Sequence, residues 1–139
     1  MVNLVIVSHC RKLAQGVKEL ADQMTGGKVQ IAAVGGLIDD EGTEHLGTDA
    51  LRISAAIDQI WTEEGVLVLV DLGSAILSTE LALDLLPDER REACLISNAP
   101  IVEGAGFAAV EASLHHSLET VNQAAEQAYT ISKVSRDTT

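Results

Sequence analysis

The sequence predicts an α/β fold: a three-layer, doubly wound sandwich around a mainly parallel central sheet of about four strands in the order 2-1-3-4. Three observations carry that expectation. Four short apolar runs, at residues 2–7, 29–34, 66–70 and 93–97, alternate with longer stretches whose apolar residues recur every three or four positions. The runs are apolar throughout rather than alternating, the pattern of strands covered on both faces. The chain is 47% hydrophobic but only 2% aromatic, so its core is built from small aliphatic side chains, which suits helices laid on a sheet.

The elements follow in order. After the first strand come Ser8, His9 and Cys10, then a helix whose face is expected to carry Leu13, Val17, Leu20 and Met24 and which Gly26-Gly27 ends. Gly35-Gly36 stops the second strand, and residues 37–47, with Asp39, Asp40, Gly42, Thr43 and His45, read as a polar loop. Thr48 is expected to cap a helix with Ile53, Ala56, Ile57, Ile60 and Trp61 on one face. The third strand ends at Asp71, Gly73 and Ser74 turn the chain, and a helix with Leu77, Leu81 and Leu85 on one side runs until Pro87 breaks it. Past the fourth strand, residues 98–106 read as a loop or helix start. Phe107, Val110, Leu114, Leu118, Val121, Ala125 and Ala128 then keep helical spacing for about six turns. Residues 129–134 are expected to form either a short edge strand or a helix extension. Residues 1–134 are thus read as one domain of normal size and 135–139 as a flexible tail.

Composition excludes several functions. Twenty-one acidic residues face nine basic ones, a formal net charge of −12, so a phosphate-tracking nucleic-acid groove is not expected. Neither a basic amphipathic helix nor a span-length apolar run points to a membrane. With two cysteines and no signal-peptide pattern, the chain is expected to be reduced and cytoplasmic. No glycine-rich phosphate-binding signature for a dinucleotide or nucleoside triphosphate occurs. Asp39, Asp40 and His45 are too sparse for a metal site, and no metal is expected.

Ligands of open parallel sheets gather beyond the C-terminal strand ends, where strand order reverses. His9 follows the first strand and Asp71 the third. If these strands are neighbours, a carboxylate holding one ring nitrogen fixes the tautomer and leaves the other as a nucleophile or base. A histidine after a strand also serves as a plain loop residue and an aspartate there as a helix cap; position alone leaves both readings open. Thr43 and Ser74 are polar groups on loops at the same edge. Cys10, beside a helix start, reads as a packing residue rather than a nucleophile, and Cys94 as core. Gly42 and Gly73 read as turn-permitting residues round an open crevice.

Four blocks carry a resemblance: LVIVSHC with LAQGVKELADQM, then residues 35–57 (GGLIDDEGTEHLGTDALRISAAI), 68–83 (VLVDLGSAILSTELAL) and 98–113 (NAPIVEGAGFAAVEAS). Together they resemble the phosphocarrier domain of phosphoenolpyruvate-dependent dihydroxyacetone kinases, within the mannose-type IIA domains of the sugar phosphotransferase system. The resemblance implies that His9 is phosphorylated at Nε2 by the phosphocarrier protein HPr and that Asp71 orients its ring. It implies transfer to ADP held on the DhaL subunit, for use on dihydroxyacetone bound to DhaK. It implies no cofactor on this chain beyond a covalent phosphoryl group, with ADP and magnesium on the partner, and a homodimer; the long last helix offers a surface for the second copy. Cys10, Gly42, Thr43, Gly73 and Ser74 are then expected to bind the phosphoryl group or support its loops. Cys10 stands where the family usually has Ser. The same histidine chemistry serves mannose-type sugar transporters, whose acceptor is a IIB domain, and a non-catalytic regulatory module could keep the same fold.

Overall fold

The computed structural model describes residues 1–136. Its strands are β1 (Asn3–Ser8), β2 (Ile31–Gly35), β3 (Leu37–Ile38), β4 (Glu44–His45), β5 (Val66–Val70) and β6 (Cys94–Ile96). Its helices are α1 (Arg11–Thr25), α2 (Ala50–Ile60), α3 (Gly73–Asp84), α4 (Asp88–Glu92), α5 (Ile101–Ser113) and α6 (Leu118–Glu126), with a 3-10 turn at Gln127–Thr130. The main sheet runs β2-β1-β5-β6, all parallel, which is the expected 2-1-3-4 order of its four strands.

Alternation along β1 divides the interior into two cores. Leu4 and Ile6 pack with α1, α5 and α6, burying Ala14, Val17, Ala108 and Val121. Val5 and Val7 pack on the other side with α2 and α3, burying Ile53, Ile57, Ala75 and Ala82. The sheet therefore lies between two helical layers. The register pairs Val7 with Val70, so β1 and β5 end at the same level and deliver His9 and Asp71 to one edge.

Several elements differ from expectation. The polar loop contains a two-stranded antiparallel hairpin, in which Leu37 pairs with His45 and Ile38 with Glu44. Asp49, not Thr48, caps α2, its Oδ1 accepting from Leu51 N–H at 2.9 Å, while Thr48 Oγ1 shares a hydrogen bond with Ser78 Oγ at 2.6 Å. A short helix, α4, follows Pro87. The six-turn final helix is two helices, α5 and α6, broken where His115 adopts φ 63°. No edge strand forms at 129–134; a 3-10 turn ends the helical region because its i→i+3 bonds finish the last turn. Ser135 and Arg136 have no regular structure, and the rest of the expected tail, 137–139, lies outside the described residues.

Helix faces are shifted too. In α1 the buried positions are Ala14, Val17 and Ala21, while Leu13, Leu20 and Met24 are exposed. In α3 they are Ala75, Thr79 and Ala82, and Leu77, Leu81 and Leu85 point outward. Alanine lets the helix axis approach the sheet closely, so the small residues take the inner side, within the single apolar sector of α1 and on α3, which is apolar on most sides.

Candidate functional site

The site is assembled from two strand ends and a helix start. Ser8, the last residue of β1, is fully buried, and its hydroxyl donates to Asp71 Oδ2 at 2.8 Å. The same oxygen accepts the His9 backbone N–H at 3.0 Å. Asp71 Oδ1 accepts from His9 Nδ1 at 2.9 Å and from the Leu72 N–H at 2.7 Å. Burial pushes the Asp71 carboxyl pKa up, but these donors from His9, Ser8 and Leu72 outweigh it, and the group lies below its ordinary value of 3.8.

An ionised carboxylate can only accept, so His9 Nδ1 carries a proton, and in the neutral ring Nε2 holds the free lone pair. Nε2 faces Ser74 Oγ, which donates to it. The His9 side chain retains 22% exposure, against 10% for Asp71, so the ring is the more open of the two and the carboxylate the more shielded. Beside Nε2 lies the start of α3. Its N-cap, Leu72, gives no side-chain cap, so the N–H groups of Gly73 and Ser74 are free to meet an anion.

The His9 backbone is held from the opposite side as well. Gly47 N–H donates to the His9 carbonyl at 2.9 Å, and Gly36 N–H donates to the Gly47 carbonyl at 2.9 Å. Gly35 allows this crowding: a Cβ there would stand 2.5 Å from the Ser8 carbonyl oxygen. Cys10 N–H donates to Ser8 Oγ at 3.0 Å, and its side chain gives no cap bond to α1. Gly42 and Thr43 serve the hairpin turn: both N–H groups donate within Asp39, to its carbonyl at 3.0 Å and its Oδ1 at 2.8 Å. Their hydrogen bonds among the described residues thus go to Asp39, not to His9. Gly73 has open space where a Cβ would stand, so sterics do not demand glycine there. Asp39 and His45 pair with each other, Nε2 to Oδ2 at 2.7 Å.

Sequence reasoning missed Ser8. Its signal was a polar residue closing a buried strand whose middle, Leu4 to Val7, is wholly apolar, a place where a hydroxyl must find a partner. Cys94, expected in the core, is only half-buried and packs against the core's edge; burial first and the charge of Asp58 second push its thiol up to about 11.

The chain matches, over residues 3–122, the family described as the PTS system fructose IIA component, EIIA-man. A DhaM protein of Listeria innocua, a phosphoryl donor subunit of PEP-dependent dihydroxyacetone kinase 2, is 41% identical over 88% of this chain and 95% of its own length. A DhaM phosphoryl donor subunit of Pantoea ananatis is 43% identical over 87% of this chain, which spans only 25% of that longer relative. Among solved structures, the protein of unknown function EF1359 superposes with a TM-score of 0.76 at 32% identity, covering 90% of this chain and 92% of that one.

Proposed function

Because the chain belongs to the EIIA-man family and groups with its DhaM phosphoryl donor subunits, we propose that it is the phosphohistidine carrier of a dihydroxyacetone kinase. It takes a phosphoryl group from phospho-HPr on His9 and passes it to ADP on a DhaL subunit, for phosphorylation of dihydroxyacetone on DhaK. The observation that carries this reading is the three-residue line Asp71–His9–Ser74: a carboxylate on one ring nitrogen and an open, serine-backed lone pair on the other.

In the loading step, the Nε2 lone pair attacks phosphorus, the new N–P bond forms and the donor's N–P bond breaks. The ring then carries positive charge, which Asp71 stabilises through the Nδ1 proton. Ser74 Oγ–H, freed from Nε2, turns to a phosphoryl oxygen, together with the Gly73 and Ser74 N–H groups. In the unloading step an oxygen of the ADP β-phosphate attacks, the N–P bond breaks and ATP forms on the partner. This chain needs no resident cofactor or metal for either step, and the proposed place of work is the cytoplasm.

A homodimer is also proposed, on a different surface from the one the sequence pointed to, since the last helix is broken. The exposed Leu72, Leu77, Leu81 and Leu85 of the α3 region, extended by Leu51 of α2, supply an apolar face that can meet itself across a two-fold axis. The Leu77→Glu/Leu81→Glu variant should halve the mass measured by light scattering; a wild type already monomeric at micromolar protein removes the dimer.

The test of the carrier reading is incubation with phosphoenolpyruvate, enzyme I and HPr. An acid-labile, base-stable phosphate should appear on the protein and be absent from His9→Ala. Addition of ADP-loaded DhaL should discharge it as ATP. Label that persists in His9→Ala defeats the assignment, and label that passes to a sugar-transporter IIB domain but not to DhaL defeats the acceptor.

A further inference from the structure

Three of the chain's nine lysines and arginines gather around Glu44, in a chain whose formal net charge is −12. Arg11 and Lys12 open α1, where cations oppose the helix dipole and no acidic residue offsets them within the turn. Arg52 reaches over from α2 and donates from Nη1 to the Gly36 carbonyl at 2.8 Å. Gly36 is the meeting point: a Cβ there would lie 3.4 Å from Glu44 Oε1 and 3.5 Å from Arg11 Cβ. Glu44, on the short strand β4, places its carboxylate in this group. Arg11 Nε donates to Oε1 at 2.7 Å and Nη2 to Oε2 at 3.4 Å. Arg11, Lys12 and Glu44, with Cys10, His45 and Leu46, line a shallow cavity of about 230 Å³.

The Glu44 carboxyl lies below its usual range, chiefly through the Arg11 hydrogen bond, with further help from the charges of Lys12 and Arg52. The pair is nevertheless at the rim, 43% exposed at Arg11 and 40% at Glu44, and exposed pairs exchange partners at little cost. A cation cluster placed against the helix dipole and satisfied by a carboxylate from a two-residue strand has the form of a receptor with a stand-in.

We propose that Arg11, Lys12 and Arg52 form a lip that receives a surface carboxylate of the acceptor protein that takes the phosphoryl group from His9, and that Glu44 fills the lip until that protein docks. The proposal rests on the carrier reading above. A carboxylate is the fitting guest for two reasons. The occupant seen is a carboxylate held at two points by a guanidinium, a geometry arginine favours. The reacting Nε2 also turns toward Ser74 on α3, whereas the lip stands on the α1, α2 and hairpin side, off the line of transfer. A charge so placed sets docking register and encounter rate rather than chemistry.

The experiment is steady-state transfer from the phosphorylated chain to ADP-loaded DhaL, comparing wild type with Glu44→Gln, Arg11→Gln and Lys12→Gln. Emptying the lip with Glu44→Gln should lower KM about threefold, and removing its cations should raise KM about threefold, with kcat unchanged and a shallower salt dependence in the latter two. If the pair were only a structural brace, Glu44→Gln and Arg11→Gln would break the same contact and move KM in the same direction; that result overturns the proposal. Free ADP titrated onto the unphosphorylated chain should bind neither wild type nor Arg11→Gln. ADP binding by wild type that Arg11→Gln abolishes would make the lip a phosphate site and overturn the carboxylate assignment. The two levels fail separately: no label on His9 sinks the carrier reading and the lip with it, while labelled His9 with KM values that move together sinks the lip alone.

Discussion

Asp71 accepts four hydrogen bonds, and two of them come from His9 itself. One fixes the backbone of the histidine and the other its ring, so a single carboxylate sets both position and tautomer. Asp71→Asn preserves size but presents an amide that can donate to Nδ1 and so favour the wrong tautomer. Its phosphoryl-transfer rate should fall about 10²-fold or more with the fold retained, measured by rapid-quench labelling. The sign of its pH dependence follows from the lowered carboxyl pKa. Ionised Asp71 stabilises the fold above its ordinary value of 3.8, and that contribution is lost as pH falls through the lower folded value. Urea titrations should therefore show the stability gap between wild type and Asp71→Asn closing only below about pH 4. Ser8→Ala leaves buried acceptor capacity on Asp71 unfilled and should cost about 1–2 kcal/mol in the same titrations. At this scale the sequence was most legible where chemistry was scarce. His9 and Asp71 stood out as polar ends of apolar strands, whereas Ser8 was hidden because a buried serine looks unremarkable until its partner, 63 positions away, is known.

The elements show where pattern reading stops. Strand order was legible because apolar runs and crossovers leave few parallel arrangements. Helix faces were not: α1 carries its apolar residues in one sector, whose inner side is taken by Ala14, Val17 and Ala21, α3 is apolar on most sides, and in both bulk was taken as the mark of burial. The observed inner faces are alanine-rich, set by how closely helix and sheet approach. The break between α5 and α6 was invisible for a related reason: apolar spacing continues across it in register, and the stop comes from one residue, His115, at φ 63°. His115 N–H donates to the Ala112 carbonyl at 3.0 Å, as a residue in the left-handed conformation at a helix end does. His115→Gly should raise stability by about 1 kcal/mol in chemical denaturation without moving the α5–α6 packing, since glycine adopts this conformation without strain. A loss of stability would mean that the exposed imidazole does something that the backbone geometry does not record.

Across the whole molecule, two cores share one sheet, and the reacting loop sits where β1 leaves both of them. Gly35 marks how tightly that junction is closed. A methyl group there meets the Ser8 carbonyl at 2.5 Å, and the neighbour is backbone that cannot swing away. Gly35→Ala should cost about 1–3 kcal/mol and should slow phosphorylation of His9 by more than its loss of folded fraction explains. The same junction determines how the protein changes state. His9 is tethered by its amide to Asp71 and by its carbonyl to Gly47, so its main chain is clasped from both flanks. In the proposed carrier role, loading and unloading would then be left to rotations of side chains and to whatever the visiting proteins bring. A relay protein that keeps one shape can meet donor and recipient in turn without resetting itself between visits. Its amide protons around residues 8–10 should exchange with deuterated solvent at the same slow rate whether or not the imidazole is charged with phosphate.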